Sequence, residues 1–298
     1  MTCKSLTIPC SVVVLTLNEQ ANLRPCLASL GDTRDVHVLD SGSTDGTCEI
    51  ARQCAAQVAT HPFRSFGDQR NWAHDQLPLR HDWVLHLDAD ERLTAALARE
   101  VRDVIAADAG SLAGWLIPEM TLLNGRWLRH AAQYPRYQAR LVHRRRMRFV
   151  DHGHGQRESA ELPFGRMQSA YEHWAFSHGL EHWLRKHATY AMQEARQILE
   201  EETAQRWGGF AGLVAADPVR RRRALKRLAL RLPMRPTLRW LHVMGSGAWL
   251  DGSAGLQYAN MMRAFQQMID LCIEDLRQQR RSPATAAPDA ELRKETGS

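Results

Sequence analysis

Residues 83–91 read WVLHLDADE, and residues 11–19 read SVVVLTLNE. Each stretch is a short, nearly continuous apolar run that ends in residues with carboxylate side chains. Apolar runs of this length are typical of strands that are covered on both faces, as in a parallel sheet. The two stretches therefore predict buried strands, each followed by an acidic loop.

The segments around these two strands alternate between helical and extended periods. Further strands are predicted at Asp35–Asp40 and Gln57–His61. Helices are predicted at Asn22–Leu30, from a cap at Ser43 or Thr44 to about Ala56, at Phe66–Gln76, and from a cap at Thr94 to about Ala107. This alternation predicts an α/β fold in which a mostly parallel sheet has helices on both faces.

After residue 110 the pattern changes to antiparallel strands and then to helices. Asn124-Gly125 is the favoured two-residue hairpin turn, so Gly114–Leu123 and Arg126–His130 are predicted to pair. Further elements are short strands at Arg140–Val142 and Phe149–Val150, and helices at Leu180–Trp207, Pro218–Leu232 and Leu256–Gln279. We predict a catalytic domain over residues 1–215, a basic helical extension over 216–280 and a disordered tail over 281–298.

The bulk composition is that of a globular protein with a positive net charge. Of the 298 residues, 44% are apolar and 24% are charged, and the formal net charge is +6. This balance suits anionic partners such as phosphorylated substrates, nucleic acid or an acidic membrane surface. No apolar run approaches the roughly 20 residues that a membrane-spanning helix needs. The N-terminus is interpreted as a strand rather than a signal peptide, and the six scattered cysteines as reduced thiols of a cytoplasmic protein.

Acidic side chains follow three of the predicted strands. The first strand ends in Leu17-Asn18-Glu19, the second in Asp40 and the fourth in Asp88-Ala89-Asp90. In an open parallel sheet, ligands bind beyond the carboxyl ends of the strands. Carboxylates one residue apart can face one cation, and their oxygens suit Mg²⁺ or Mn²⁺ that also binds substrate phosphates. The sequence therefore predicts a divalent metal at Asp88 and Asp90, with Asp90 as the firmer ligand.

Two neighbouring segments add groups that suit an anionic or nucleotide ligand. Asp40 starts a turn through Gly42 and Ser43 that leads into a predicted helix N-terminus, which favours anions. Asp40 can itself accept a hydrogen bond from a base or a ribose. Arg70, near the start of the third helix, can approach a phosphate or a base.

Four motifs in this order resemble the family 2 glycosyltransferases, which have the GT-A fold. The motifs are VVVLTLNEQANL, VLDSGSTDGT, FRSFGDQRNWA and WVLHLDADE, and together they span roughly residues 10–100. The later stretches QYPRYQARLVHR, DHGHGQRE and HWLRKHATYAMQEA resemble, more loosely, the subgroup that builds lipopolysaccharide core or exopolysaccharide. The resemblance implies an inverting transferase that moves a sugar from a nucleotide-diphosphate donor, by default a UDP-sugar, to a glycan or lipid-linked acceptor.

The resemblance also implies roles for individual residues. Glu19 and Asp40 lie at the nucleotide base, Arg70 approaches the base or the phosphates, and Asp88 contacts the ribose or the diphosphate. Asp90 holds the metal. Leu17, Asn18, Gly42 and Ser43 belong to the same donor site. An inverting enzyme also needs a general base for the acceptor hydroxyl.

The general base is not fixed by the motifs. Many relatives carry a His-Glu pair where this chain reads His154-Gly155. Asp151, His154 and Glu158 are all candidates, and Glu158 is favoured slightly. Histidines are crowded nearby, and His178 and His182 stand at a spacing that can bind zinc. We interpret that group as solvated or acceptor-facing.

The C-terminal third suggests contact with a membrane. Residues 218–232 combine helical apolar spacing with a run of arginines, and WLHVMGSGAWL follows at residues 240–250. Such segments fit the surface of an anionic membrane, so we expect a cytoplasmic protein in peripheral contact with the inner face of the cytoplasmic membrane.

Three other function classes compete with a glycosyltransferase. They are a relative that binds nucleotide sugars without turnover, a metal-dependent nucleotidyltransferase, and a nucleic-acid-binding protein. The last is disfavoured because the sequence has no nucleic-acid-binding signature and because three acidic strand ends would be unexplained.

Overall fold

The fold is described from a computed structural model of the chain. The structure describes residues 7–152, 155–204, 221 and 234–281. Two compact units divide the chain between His178 and Gly179. The predicted domain boundary at residues 215 and 216, the predicted helix Pro218–Leu232 apart from residue 221, and the predicted tail beyond residue 281 lie outside the described residues.

Within the described residues of the first unit, ten strands form one sheet. Along its main path the strand order is β3-β2-β1-β4-β8-β6-β12-β5, and β7 and β11 both pair with β6. Four strands at one end of the sheet pair with one another in parallel, and they are β1 (Ser11–Thr16), β2 (Val36–Asp40), β3 (Gln57–Thr60) and β4 (Trp83–Asp88). The others are β5 (Glu91–Arg92), β6 (Gly114–Leu123), β7 (Arg126–Trp127), β8 (Arg136–His143), β11 (Phe164–Arg166) and β12 (Tyr171–His173).

Helices cover both faces of the parallel strands, as the apolar runs predict. They are α1 (Gln20–Ser29), α2 (Thr47–Gln53), α3 (Phe66–Gln76) and α4 (Ala95–Ala106). On one face, Val14 and Leu85 pack with side chains that include Leu23 of α1 and Leu97 of α4. On the other face, Val13 and Val84 pack with Ala73 of α3 and with Leu77, which follows it. Each fully buried side chain of this kind contributes about 2 kcal/mol to folding.

Two of the predicted helix starts have different outcomes. Thr94 caps α4, because its side chain accepts the N–H of Leu97. The predicted cap at Ser43 or Thr44 is wrong, since α2 begins at Thr47 and Gly46 precedes it without a side-chain cap. Ser43 is bonded to Asp40 and Thr44 to Asn18 instead.

The mixed half of the sheet is built on β6, which pairs antiparallel with β7 and β8 and parallel with β11 and β12. Asn124 and Gly125 both have positive φ, 52° and 75°, as a type I′ turn requires, and they join β6 to β7. The predicted second strand of this hairpin is shorter than expected. β8 pairs antiparallel with both β4 and β6, and thereby joins the four parallel strands β1–β4 to the mixed half of the sheet.

A separate hairpin of two strands lies outside this sheet. It consists of β9 (Arg148–His152) and β10 (Gly155–Ser159), which pair antiparallel. The prediction of strand at Phe149–Val150 is confirmed within β9. The strands β5, β11 and β12 were not predicted because two or three residues cannot show a period, and β10 was not predicted because its sequence, GQRES, is polar.

In the second unit, the described residues are helical. The elements are α5 (Gly179–Ala204), α6 (Arg235–Gly245), a 3-10 helix (Ala248–Asp251) and α7 (Gly252–Arg281). Ala191, Ala195 and Ile198 of α5 pack with Ile269 and Ile273 of α7. In the described part of the chain, no helix is both long enough and apolar enough to cross a membrane.

Candidate active site

The three acidic strand ends meet at one edge of the sheet, as predicted. β1 pairs in parallel with β2 on one side and with β4 on the other. Thr16 lies opposite Asp40, and Leu15 lies opposite Asp88. Asp40 and Asp88 therefore flank the end of β1, from which the loop with Asn18 and Glu19 continues.

The carboxylate of Asp40 orders the turn that follows it. Asp40 accepts hydrogen bonds from the N–H groups of Gly42 at 2.9 Å and Ser43 at 2.8 Å, and from the hydroxyl groups of Thr16 and Ser43. Burial raises the pKa of Asp40, but these bonds outweigh it and lower the pKa below its usual range. Gly42 has a φ of 102°, which favours glycine. Asp40 is thus an ionised group that shapes the predicted donor loop.

The loop after β1 is hydrogen-bonded to the turn after β2. The Asn18 side-chain oxygen accepts the N–H of Thr44 at 2.8 Å, and the N–H of Asn18 donates to the Ser43 hydroxyl at 2.8 Å. The N–H of Glu19 donates to the Thr47 hydroxyl, also at 2.8 Å. The predicted donor residues of both loops therefore form one continuous surface, on which Leu17 is half exposed.

Asp88 is held between two arginines. One of its oxygens accepts Arg70 at 3.0 Å, and the other accepts Arg140 at 2.8 Å. Burial raises the pKa of Asp88, but the attraction of Arg140 and Arg70 outweighs it and lowers the pKa to about 2. The side chain stays 31% exposed, so it remains accessible to a ligand. Arg70, which the sequence places near a base or a phosphate, is buried and bonds Asp88.

Glu91 lies beneath Asp88 and was not predicted. Its carboxylate accepts the N–H of Asp88 at 3.0 Å and bonds Arg140. Burial raises the pKa of Glu91, and the attraction of Arg140 only partly opposes this. Arg140, on β8, therefore joins the end of β4 to β5 through two carboxylates. Such a cation fixes the loop geometry, because removing it would leave Asp88 with Arg70 but would take away the arginine that is paired with the buried Glu91.

Asp90 faces a histidine that is held by a second carboxylate. His173 Nε2 lies 3.3 Å from Asp90, and His173 Nδ1 lies 2.7 Å from Glu119. Glu119 is buried, and it also accepts Arg136 at 2.6 Å and the Thr121 hydroxyl at 2.8 Å. Burial raises the pKa of Glu119, but the bonds from His173 and Arg136 outweigh it and lower the pKa. Glu119 thus fixes the orientation of His173 toward Asp90.

The donor set at Asp90 fits a divalent metal, although it differs from the pair predicted from the sequence. Two ligands about 2.1 Å from one ion stand roughly 3 Å apart when they are adjacent in an octahedron. Asp90 and His173 have that separation, and a carboxylate behind the histidine is the usual support of a metal-binding imidazole. Burial lowers the pKa of His173, but its bonds to Asp90 and Glu119 outweigh this and raise the pKa well above its usual range, so a metal here would replace the proton on Nε2. Asp88 uses both of its oxygens on arginines. Among the residues that the structure describes, no group of three or more His, Cys, Asp or Glu is arranged as a metal site.

Glu19 contacts His178, the last residue of the first unit. One oxygen of Glu19 accepts the Asn22 side-chain amide at 2.6 Å and lies 2.9 Å from His178 Nε2. The sequence placed His178 on a helix beside His182. The structure instead ends the first unit at His178, which lies against the predicted base-binding residue.

The candidate bases are carried by the β9–β10 hairpin. Glu158 is exposed and lies opposite Phe149 in the ladder. Asp151 belongs to β9 and pairs with Gln156, and its side chain lies outside the described set. His154 lies outside the described residues. The choice among the three therefore stays a prediction.

Sequence reasoning missed four residues that shape this site. They are Glu91, Glu119, Arg140 and His173, each with at least one charged partner at the carboxyl edge. Glu91 follows Asp90 directly in the chain, and Arg140 lies in a predicted strand. A search for an arginine that could neutralise the acidic loop could have identified Arg140. Glu119 stands inside an apolar strand, where a buried carboxylate needs a partner.

The comparisons with known proteins agree with this geometry. Residues 11–161, just over half of the chain, match the model of Glycosyl transferase family 2. The chain is 32% identical over 123 residues to the lipopolysaccharide core biosynthesis glycosyltransferase LpsC of Rhizobium meliloti, covering 40% of this chain and 44% of LpsC. It is 35% identical over 105 residues to the uncharacterized glycosyltransferase RC0292 of Rickettsia conorii, covering 35% and 36%. The chain thus spans less than half the length of these relatives.

Solved structures show weaker likenesses. Glucosyl-3-phosphoglycerate synthase of Mycobacterium tuberculosis, solved with Mn²⁺ and UDP, is 23% identical with a TM-score of 0.31, covering 40% of this chain and 45% of that one. S. aureus TarS residues 1–349 are 16% identical with a TM-score of 0.38, covering 90% and 91%. Likenesses at this level say nothing about substrates.

The family match covers the parallel strands, the acidic edge that they form and the β9–β10 hairpin. The mostly parallel sheet with helices on both faces is the GT-A fold that the sequence predicts. The chain belongs to glycosyltransferase family 2.

Proposed function

We propose that the protein moves a sugar, with inversion, from a nucleoside-diphosphate sugar to a glycan or lipid-linked acceptor. The observation that supports this most is the carboxyl edge of the sheet. There, the Asp40 turn, the Arg70–Asp88 pair and the Asp90–His173 pair follow one another. The first suits a nucleoside, the second a ribose and diphosphate, and the third a metal beside the diphosphate.

The donor would lie along this edge. Asp40 and Glu19 would approach the base, and Leu17, Asn18, Gly42 and Ser43 would line the same surface. Arg70 is buried, with a guanidinium already bonded to Asp88, so its role would be to hold Asp88 and to add positive potential near the phosphates. UDP is the default nucleotide through the family resemblance.

Asp90 and His173 would hold Mg²⁺ or Mn²⁺, with Asp88 next to them on the diphosphate side. A bound metal would neutralise the charge that develops on the departing diphosphate. Glu119 would keep His173 Nδ1 occupied, so that Nε2 faces the metal position. We therefore propose Asp90 and His173 as the metal ligands in place of the pair Asp88 and Asp90 predicted from the sequence.

The chemistry needs one displacement. The acceptor hydroxyl would give its proton to a general base while its oxygen forms a bond to the anomeric carbon. The bond from that carbon to the diphosphate oxygen would break, and the nucleoside diphosphate would leave. Glu158 is the proposed base, with Asp151 and His154 as the alternatives. Glu158 lies beside Phe149, whose ring contacts Arg70.

The similarity to LpsC supports an acceptor in lipopolysaccharide or another cell-surface polysaccharide. Such acceptors are assembled on lipid, so we also propose a peripheral contact with the inner face of the cytoplasmic membrane. In the second unit, Leu238 and Leu241 of α6 and Trp249 and Leu250 of the 3-10 helix are exposed, with Arg239 beside them. Exposed apolar and basic side chains of this kind fit an anionic lipid surface.

The first experiment is a thermal-shift screen of nucleoside-diphosphate sugars with and without Mn²⁺, followed by an assay of sugar release to water. We expect one donor to stabilise the protein more with Mn²⁺ than without it. Asp90→Asn should reduce metal-stimulated release about 100-fold. Asp108→Asn, at an ion pair with Arg146 away from the edge, serves as the control.

Each competing function gives a different result. Donor binding with no release and no transfer would indicate a relative without turnover. A nucleoside-diphosphate sugar formed from a sugar phosphate and a nucleoside triphosphate would indicate a nucleotidyltransferase. For the membrane, we expect salt-sensitive binding to vesicles with anionic lipid. The absence of binding at low salt would contradict the contact.

A further inference from the structure

The β9–β10 hairpin is attached to helix α3 through one amide side chain. Asn71 Nδ2 donates to the carbonyl oxygen of Phe149 at 2.8 Å, and the N–H of Phe149 donates to Asn71 Oδ1 at 3.0 Å. A primary amide has one donor and one acceptor face, so it can satisfy both main-chain groups of one residue. Asn71 thus gives Phe149 the two hydrogen bonds that a neighbouring strand would supply.

The clamped residue lies directly across the hairpin from Glu158. The N–H and C=O of one strand residue point to the same edge, and those of Phe149 point to Asn71. Phe149 and Glu158 are therefore a non-hydrogen-bonded pair, the type in which opposite side chains approach most closely. A shift of Phe149 relative to α3 would move Glu158 with it.

The same turn of α3 carries Arg70, which belongs to the proposed nucleotide-sugar site. Arg70, next to Asn71 in the chain, bonds Asp88 at 3.0 Å, and its guanidinium lies 5.6 Å from the centre of the Phe149 ring. The ring is buried and meets His86 of β4 edge to face at 5.5 Å. Adjacent residues of one helix therefore hold the acidic edge of the sheet and the hairpin.

Asn71 makes the contact that can fix the position of the hairpin relative to helix α3. The ring contacts of Phe149 are largely apolar, and apolar burial is not directional. The other tie, Arg148 to Asp75 at 2.7 Å, has both side chains about half exposed, and such pairs contribute little. Two opposed hydrogen bonds to the main chain of one residue fix both its position and its direction.

We propose that Asn71 is a positioning residue that fixes the β9–β10 hairpin, and Glu158 on it, at a set distance from the Arg70–Asp88 pair. The inference rests on the proposed function for its catalytic consequence. A displacement of about 1 Å between reacting groups can cost about 100-fold in rate, so loosening this clamp should reduce transfer without changing donor binding.

The test compares Asn71→Ala with Gln69→Ala, a matched control on the same helix. Gln69 is buried, and its amide donates to the carbonyl groups of His61 and Pro62 at 3.0 Å, away from the hairpin. Hydrogen exchange of residues 148–159, measured without substrate, reports on the clamp itself. Donor binding, donor hydrolysis and transfer to acceptor, with kcat and KM separated, report on its consequence.

We expect Asn71→Ala to raise exchange in residues 148–159 and to lower kcat for transfer about 10- to 100-fold, with donor affinity within about twofold of the wild type. Gln69→Ala should do neither beyond its general loss of stability. Asn71→Asp adds a pH readout, since its carboxyl can accept from Phe149 when ionised but can also donate when protonated. Exchange and transfer in this variant should move toward wild-type values as the pH falls.

Three results would overturn the proposal. They are unchanged exchange in Asn71→Ala, increased exchange with undiminished transfer, and an equal effect of Gln69→Ala on the hairpin. If the wild type transfers no sugar at all, the proposed function has failed, and the exchange measurement still decides whether Asn71 holds the hairpin.

Discussion

The carboxyl edge of the sheet and the β9–β10 hairpin are built in opposite ways. At the edge, Asp88, Glu91 and Arg140 come from β4, β5 and β8 and bond one another in a buried layer. The hairpin pairs only with itself in the described strands, and it is attached to α3 by Asn71, the Phe149 ring and one exposed ion pair. The edge is held by a network of charges from three strands, whereas the hairpin is held by the Asn71 amide and by burial of the Phe149 ring among Ala139, Val142 and Met147.

The difference suggests how the two halves of the reaction are separated. Under the proposed function, the charged edge would bind the donor, and the hairpin, which lies outside the main sheet, would carry the base to the acceptor. The following predictions test this contrast, in order of decreasing expected effect.

The largest effect is expected for Glu158→Gln, which removes the proposed base from the hairpin. Transfer should fall about 100- to 10,000-fold, while donor affinity stays unchanged because the edge is intact. Steady-state transfer kinetics and calorimetric donor binding check this. Glu161→Gln, at another exposed glutamate, is the control. Near-normal transfer by Glu158→Gln would assign the role to Asp151 or His154.

Arg140→Ala should destabilise the edge by about 3–5 kcal/mol, because it leaves the carboxylates of Asp88 and Glu91 without their shared cation. Denaturant unfolding measures the change. Arg145→Ala removes an arginine that is 70% exposed and should cost less than about 1 kcal/mol. If the two variants lose equal stability, the edge is not a buried charge network.

The stability of the fold should depend on pH through two histidines that lie between helix α3 and strand β4. His74 of α3 and His86 of β4 are buried and lie 2.8 Å apart between their Nε2 atoms. Burial lowers the pKa of His74 from 6.5 to about 4 and lowers the pKa of His86 well below 6.5.

Both histidines are then neutral in the fold, whereas the unfolded chain takes up protons below about pH 6.5. The free energy of unfolding should therefore fall as the pH drops from about 6.5 to about 4, by about 2–3 kcal/mol from His74. Unfolding curves across this range test the sign. His74→Gln should flatten the slope, and an unchanged slope would assign the proton uptake to other groups.

The smallest effect is expected for Asp75→Asn, which removes the exposed partner of Arg148. Stability should change by less than about 0.5 kcal/mol, and transfer should stay within about twofold of the wild type. Hydrogen exchange of residues 148–159 should match the wild type. If Asp75→Asn loosens the hairpin as much as Asn71→Ala does, charge rather than the amide clamp holds it.

Much of the parallel half could be predicted from the sequence. The bounds of β4 and α3 agree with the prediction, and Thr94 caps α4 as expected. These elements have strong local signals: a continuous apolar run, a capping side chain and a clear change of period. The strands β5, β11 and β12 were missed because two or three residues cannot show a period, and β10 was missed because its sequence, GQRES, has no apolar residue.

The site was predicted at the level of its strand ends rather than its pairs. Asp40 and Asp88 meet beside β1 because parallel strands carry their carboxyl ends to one edge, and this follows from fold class. The predicted helix cap at Ser43 fails because its hydroxyl group donates to Asp40 and accepts the N–H of Asn18, so it does not accept an N–H of the helix. Local hydrogen bonds of this kind override the intrinsic preference for a cap.

The sequence by itself determined the parallel strands and the family, because each strand and motif has a local signal, and the acidic edge followed because parallel strands carry their carboxyl ends to one side. Only the tertiary structure decided which charges pair. Arg140 reaches Asp88 across 52 residues, His173 reaches Glu119 across 54, and Asn71 reaches Phe149 across 78. Those partners are selected by burial, which makes an unpaired charge or amide costly, and burial is a property of the packed fold rather than of any segment.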